Sequence, residues 1–177
     1  RKKLEGERFV FSLSGISFDL SITIMDYSPP DCIYVESKAT SGKMKFGGRD
    51  IDDTILSYFI SRVQKKLNID ITKYPSSLAK LRIACEKAKI ELSTTDKTTI
   101  FCESLFEGQD FSDDLNRPLF ESLIFDFFRK IERHIEKILN SDNIDMNNIT
   151  DVLILGGSSK IPKIQNLIQK FFVGKQI

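Results

Sequence analysis

The run Leu155-Gly156-Gly157-Ser158-Ser159-Lys160-Ile161-Pro162 has the residue types needed to hold an anion with backbone alone. It follows Val152-Leu153-Ile154-Leu155, an all-apolar stretch that reads as a strand buried on both faces. Two glycines then let the chain turn and approach a ligand closely, and a helix begins. Unpaired N–H groups and the positive end of that helix would face whatever lies there, which suits a nucleotide. Ligands of parallel sheets bind outside the carboxyl ends of the strands, where this turn falls. An ordinary strand-to-helix turn using glycine for packing has the same pattern.

Ser14-Gly15-Ile16-Ser17 is a second glycine turn. It reads either as a phosphate-facing hairpin with amides aimed at anionic oxygens or as a plain hairpin. Asp19, on the polar side of the next strand, either holds a metal through water or faces solvent. Glu86, Lys89 and Ser93 fall at i, i+3 and i+7 of one helix, so they project from one face. That face grips a polar ligand or is a solvated side. His134, the single histidine, sits beside Arg133 and reads as a surface residue. Cys32, Cys85 and Cys102 lie on apolar faces, lack metal-ligand spacing and read as core.

These residues need elements to position them. Phe9-Val10-Phe11-Ser12-Leu13 and Phe18 to Ile24 alternate with period two and pair through the Ser14–Ser17 turn. A second turn carries Pro29-Pro30, and Cys32 to Thr40 is a third strand, completing an antiparallel meander closed by Ser41-Gly42 and Gly47-Gly48. The period then changes. Ile51, Ile55, Tyr58, Phe59, Val63 and Leu67 predict a helix over Asp50 to Leu67. Ser77 to Leu92 is a second helix, with Ser76-Ser77 as its cap and Leu78, Leu81, Cys85 (or Ala84), Ala88 and Leu92 inward. Thr98 to Leu105 is strand-like and ends in a turn at Phe106 to Asp110. The clearest helix has Phe120, Leu123, Ile124, Phe127, Phe128, Ile131, Ile135 and Ile138 on one face, Asn116 as cap and Pro118 in its first turn. A last helix carries Ile161, Ile164, Leu167, Ile168 and Phe171 inward.

The 177 residues are one large domain or two small lobes sharing a core, with a hydrophobic share of 41%. Twenty-six Lys and Arg against 25 Asp and Glu leave a net charge of +1, so no global basic field attracts DNA or anionic lipid. No apolar run approaches the roughly 20 residues of a membrane span, so no membrane role is expected. Cysteine usage suggests a reducing, intracellular setting; the cytoplasm is the expected compartment, with an organelle left open. With neither an initiator Met nor a leader-like stretch, the chain reads as an excised segment.

The order of the motifs carries a resemblance. After the Ser/Gly hairpin come Phe46-Gly47-Gly48-Arg49-Asp50-Ile51-Asp52, then Leu81 to Ser93, then Ser104-Leu105-Phe106-Glu107-Gly108-Gln109-Asp110-Phe111, then Gly156 to Pro162. Together they resemble the second lobe of the nucleotide-binding domain of the seventy-kilodalton heat-shock chaperones, members of the actin and hexokinase ATPase superfamily. The resemblance implies a mixed α/β, ribonuclease H-like and actin-like half-domain. Its sheet subdomain would comprise about residues 1–46 and 117–177, with a smaller α+β insertion over about 47–116.

It implies further that Gly156, Gly157, Ser158 and Lys160 form an adenosine motif against the sugar and α-phosphate. Glu86, Lys89, Ile90 and Ser93 would be adenosine contacts, with Glu86 and Lys89 suited to ribose hydroxyls. Gly15, Ile16 and Ser17 would belong to a phosphate hairpin, and Asp19 would sit near magnesium. Gly47 and Gly48 would form a hinge, with Gly48 also touching nucleotide. ATP or ADP with Mg2+ is the implied cofactor. A J-domain cochaperone, a nucleotide exchange factor, a peptide-binding domain in cis and, for atypical members, the ribosome are the implied partners.

This chain departs from the family hairpin Asp-x-Gly-Gly-Gly-Thr, reading Ser12-Leu13-Ser14-Gly15-Ile16-Ser17. Ser12 replaces a carboxylate that organises water and metal. Ser14 and Ile16 replace glycines where backbone nears phosphate, and a β-branched side chain disfavours a positive φ. Ile90 stands where an arginine stacks on adenine, losing about 0.5–2 kcal/mol of cationic stacking. Lys160 stands for the adenosine-motif arginine. The expectation is a divergent chaperone ATPase lobe with weak nucleotide binding and impaired hydrolysis. Alternatives are a non-catalytic interaction module docking a cochaperone or ribosome partner and, less in keeping with Glu86 to Ser93, a sugar kinase.

Overall fold

A computed structural model describes residues 6–28, 32–142 and 144–175. In chain order the elements are β1 (Gly6–Leu13), β2 (Ser17–Ser28), β3 (Cys32–Met44), α1 (Gly48–Leu67), α2 (Pro75–Glu91), β4 (Lys97–Phe106), β5 (Gln109–Asn116), α3 (Arg117–Leu123), α4 (Phe125–Leu139), β6 (Ile149–Leu155) and α5 (Pro162–Phe171). They fall into two units, Arg1–Gly48 with Phe128–Ile177, and Arg49–Phe127.

The first unit is built on a four-stranded sheet in the order β3-β2-β1-β6. Its antiparallel part follows from the period-two alternation: Phe9 pairs with Ile22, Phe11 with Leu20 and Leu13 with Phe18. All six side chains are buried, and each contributes about 1.5–3 kcal/mol by leaving water. Phe11, Phe18 and Phe46 meet edge to face, with centroids 5.5 and 5.9 Å apart, and Phe9 packs on Phe172 at 4.5 Å. β6 runs parallel to β1, with Ser12 opposite Leu155. The two strands therefore end at the same edge of the sheet, and the turns that follow them are neighbours.

Two expectations change here. β6 is not buried on both faces: Val152 is buried, but Leu153 and Leu155 are 41% and 52% exposed, because they point to the opposite face from Val152, where their partners Val10 and Ser12 on β1 are not buried either. β3 is longer than Cys32 to Thr40, since Ser41, Gly42 and Lys43 continue the ladder opposite Leu20, Asp19 and Phe18. Pro29, Pro30 and the side chain of Cys32 lie outside the described residues.

In the second unit the helical stripes pack as their spacing requires. Ile55, Phe59 and Val63 of α1 are buried, as are Leu81, Cys85 and Ala88 of α2 and Ile100, Cys102, Phe111 and Leu115 of the β4–β5 hairpin. Phe59 meets Phe111 edge to face at 6.4 Å. Arg62 grips Asp113 with Nε at 2.6 Å and Nη2 at 3.2 Å, a two-pronged bond that holds the Asp113 carboxyl below its ordinary range. β5 is a full strand rather than the tail of a turn. Its Gln109 to Asn116 stretch is rich in Asp and Ser, so little in its composition marks it, and pairing with β4 creates it.

The cap of α2 also differs. The helix starts at Pro75, one residue after Tyr74, so Ser76 and Ser77 lie inside its first turn, and Ser77 Oγ donates to the Leu105 carbonyl instead. Asn116 caps α3 as expected, its side-chain oxygen accepting from Leu119 N at 2.9 Å. The long expected helix is two, because Ile124 leaves helical geometry at φ −101, ψ 21 while the apolar stripe runs on through it. Among the described residues no helix is long and apolar enough to cross a membrane.

Candidate functional site

The hairpin between β1 and β2 is closed by a side chain. Ser14 N donates to the Ser17 carbonyl at 2.9 Å. Ser17 N donates to Ser14 Oγ at 2.9 Å and Ile16 N to the same oxygen at 3.2 Å. Ser14 Oγ lies 3.0 Å from Ser17 Oγ as well. A serine hydroxyl here does the work of a carbonyl, the way Ser and Thr make turns without left-handed residues. Accordingly, the positive-φ residues among those described lie elsewhere. Ile16 is thus not strained as a β-branched residue in a glycine conformation would be, and its side chain is 60% exposed. Gly15 has open space where a Cβ would stand.

Gly47 and Gly48 clamp this hairpin. Gly48 N donates to the Ser14 carbonyl at 2.8 Å, and a Cβ on Gly47 would lie 2.7 Å from that oxygen and 2.8 Å from Ile16 N. Only glycine allows so close an approach.

The turn after β6 uses its two glycines differently. Gly156 has φ +92, and a Cβ there would strike the carbonyl of Leu13 at the end of β1. The fold itself demands this glycine. Gly157 has no atom within 4 Å of a Cβ position, so no contact within the described chain explains it. The chain does not enter a helix directly from the glycines, as expected from the sequence; Gly157–Lys160 form a 3₁₀ turn first. Pro162 disfavours helical geometry at the residue before it, and Ile161 sits at φ −61, ψ 122, so α5 restarts at Pro162. Ser159 Oγ donates to the Gly156 carbonyl at 2.6 Å, bracing the turn. Ser158 is buried and Lys160 exposed.

Beside the hairpin, Ser12 and Asp19 face each other across β1 and β2. They line one part of an open cleft of about 610 Å³, to which Ser41, Lys43, His134 and Lys137 also contribute. His134 is not the plain surface residue its neighbours suggested. Its Nδ1 is 2.9 Å from Ser41 Oγ, its ring stands edge-on to Phe18 at 5.5 Å, and burial, with help from Lys137 and Lys43, pushes its pKa below the ordinary value. Nothing local in the sequence links positions 41 and 134; strand register and helix placement do.

In the second unit, Glu86, Lys89, Ile90 and Ser93 lie on or just beyond α2. Glu86 and Ile90 are exposed and Ser93 is half-buried. Lys89 is buried, its Nζ 2.8 Å from each oxygen of Asp52. Burial pushes the Asp52 carboxyl up and Lys89 pulls it back, with Glu86 and Asp53 adding to the upward push. Asp52 is thus a partner of Lys89 that spacing along α2 did not reveal, because it comes from α1. Cys85 and Cys102 are buried, and burial pushes the Cys85 thiol up to about 12, an unreactive core group.

As to magnesium, no group of three or more His, Cys, Asp or Glu able to hold a metal exists among the described residues. One carboxylate, Asp19, faces the hairpin end of the cleft. That donor set fits Mg2+ only in the mode it commonly takes, through waters and phosphate oxygens with few protein ligands.

The model of the family described as Hsp70 protein matches residues 2–177. The chain belongs to the Hsp70 family. The mixed α/β architecture accords with the family's actin-like ATPase fold. Hsp70 relatives include a heat shock 70 kDa protein of Penicillium citrinum, 38% identical over 173 residues, covering 97% of this chain and 33% of that one. Another, from Neurospora crassa, is 36% identical over 177 residues, covering 99% of this chain and 27% of its own. A heat shock 70 kDa protein 2 of Paracoccidioides lutzii is 36% identical, with 99% and 26% covered. The chain thus spans between a quarter and a third of the length of these Hsp70 relatives.

Proposed function

We propose that this chain is a lobe of the ATP-binding domain of an Hsp70-type molecular chaperone that assists protein folding, and that it binds adenine nucleotide weakly and supports little hydrolysis. The observation that carries the reading is the pair Gly15 and Gly157. Neither has a neighbour that its missing Cβ would touch, yet both stand in turns at the carboxyl-end edge shared by β1 and β6. Glycine that the fold does not require, at the place where such sheets bind ligands, is what close approach of a phosphate or sugar would call for.

In this reading Gly156, Gly157, Ser158 and Lys160 lie against sugar and α-phosphate, and Gly15, Ile16, Ser17 and Gly48 face the further phosphates. Asp19 would hold Mg2+ through water; the metal's part is to neutralise phosphate charge. In the second unit, Glu86, Lys89, Ser93 and Ile90 are the adenosine contacts, Lys89 sharing its charge with Asp52. Weak turnover follows from Ser12, which offers a hydroxyl where the family hairpin has a carboxylate. A J-domain cochaperone, an exchange factor and a peptide-binding domain in cis are the partners that go with this function, in a cytoplasmic setting. Calorimetry of the full protein with ATP and Mg2+ tests it: heat of binding in the micromolar-to-millimolar range is expected. A flat trace at millimolar ATP would remove the nucleotide and leave the fold as an interaction module for a cochaperone or the ribosome.

A further inference from the structure

We propose that the Ser14 hydroxyl is a built-in competitor for the nucleotide phosphate, holding in the resting hairpin the two main-chain amides that an anion would need. The inference rests on the phosphate-binding reading of that hairpin. Ile16 N and Ser17 N converge on one oxygen, Ser14 Oγ, at 3.2 and 2.9 Å. Two adjacent N–H groups aimed at a single point are the arrangement that binds an anionic oxygen, and here the chain supplies its own oxygen. Nothing else in the turn replaces it, because the main-chain bond from Ser17 N to the Ser14 carbonyl is not made. That carbonyl accepts from Gly48 N at 2.8 Å instead.

The clamp decides how the amides can be released. Gly47 is packed against the Ser14 carbonyl and Ile16 N, so the hairpin backbone has little room to shift. Rotation of the Ser14 side chain is the route left, and it frees both amides together while also giving up the hydroxyl's contacts with the Ser17 carbonyl at 3.2 Å and Ser17 Oγ at 3.0 Å. A phosphate entering the hairpin gains two charge-assisted bonds but first loses the two neutral amide bonds and the hydroxyl's contact with Ser17. A glycine at position 14 carries no such oxygen. Gly15 and Ile16 are exposed, so the approach itself is open and the hydroxyl is the obstacle. Adenosine, which has no phosphate, does not meet the obstacle at all. Ser14 is therefore a specificity-setting residue that lowers the advantage of phosphorylated over bare nucleoside.

The test titrates MgADP and adenosine into the full protein, natural and with Ser14→Ala, Ser14→Gly or Ser14→Thr, and follows amide hydrogen exchange at Ile16 and Ser17. Ser14→Ala and Ser14→Gly should each tighten MgADP about tenfold, leave adenosine unchanged, and speed exchange at both amides. Ser14→Thr keeps the hydroxyl and should match the natural chain. The glycine variant guards against an alanine hairpin that no longer closes. If the natural protein prefers MgADP to adenosine but neither Ala nor Gly raises that preference, the competitor idea is wrong while the nucleotide reading stands. If no variant distinguishes MgADP from adenosine, or none binds either, the hairpin is not a phosphate site and both fall.

Discussion

Lys89 lies on the polar side of α2 by spacing, yet its ammonium is held between the two oxygens of Asp52, with each side chain only 10% exposed. A buried pair of this kind contributes little net stability but is expensive to break, since the survivor is left charged and dry. Lys89→Met should therefore destabilise the fold by about 3 kcal/mol, whereas the double variant Lys89→Met with Asp52→Leu should return to within about 1 kcal/mol of the natural protein. The sign of the pH effect follows from Asp52, whose folded-state pKa is already raised above 3.8 by burial. A raised carboxyl favours folding below its unfolded value and loses that contribution as pH climbs through the folded one. Removing Lys89 raises it further, so the penalty of Lys89→Met should be largest near about pH 7 and shrink towards about pH 4. Urea titrations at the two pH values, read as differences from the natural protein, would show it; an equal penalty at both would mean Asp52 is not the stranded charge.

Turns are the elements where fold and ligand compete for the same residues. Gly156 and Gly157 are adjacent in sequence and indistinguishable there, but φ +92 and the Leu13 carbonyl commit the first to the fold, and open space leaves the second to something outside. Gly156→Ala should cost at least about 3 kcal/mol and show as a lowered urea midpoint. Gly157→Ala should change stability by no more than about 0.5 kcal/mol while weakening nucleotide binding at least about tenfold. The reverse pattern would reassign the turn to packing alone. The helices show how far periodicity reaches. The stripes of α1, α2, α4 and α5 put the residues it named at or near the core, because a 3.6-residue repeat survives any detail of packing. It did not reveal the break at Ile124, where no proline or glycine stands, nor the start of α2 at Pro75. Both depend on what the chain meets next, such as the Leu105 carbonyl that takes Ser77 away from capping.

At the scale of the molecule, two units and a match to the Hsp70 family over residues 2–177 define what kind of object this is, while the function proposed depends on the few positions where it departs. Restoring Asp at Ser12 and Gly at Ser14 and Ile16 in the full protein should raise steady-state ATP hydrolysis by about two powers of ten. Unchanged turnover would mean that the hairpin is not what limits the reaction. The amino-acid sequence alone determined the mixed α/β class, the meander, the apolar faces and the order of motifs, since alternation, helical spacing and glycine placement act over a few residues at a time. Only the tertiary structure decided that Asp52 neutralises Lys89, that Ser41 meets His134, that Leu153 and Leu155 stand on an exposed face, and that the Ser14 hydroxyl takes the amides of Ile16 and Ser17. Those outcomes depend on which distant or turning segments share a point in space, and a free energy of contact exists only once the chain has brought them there.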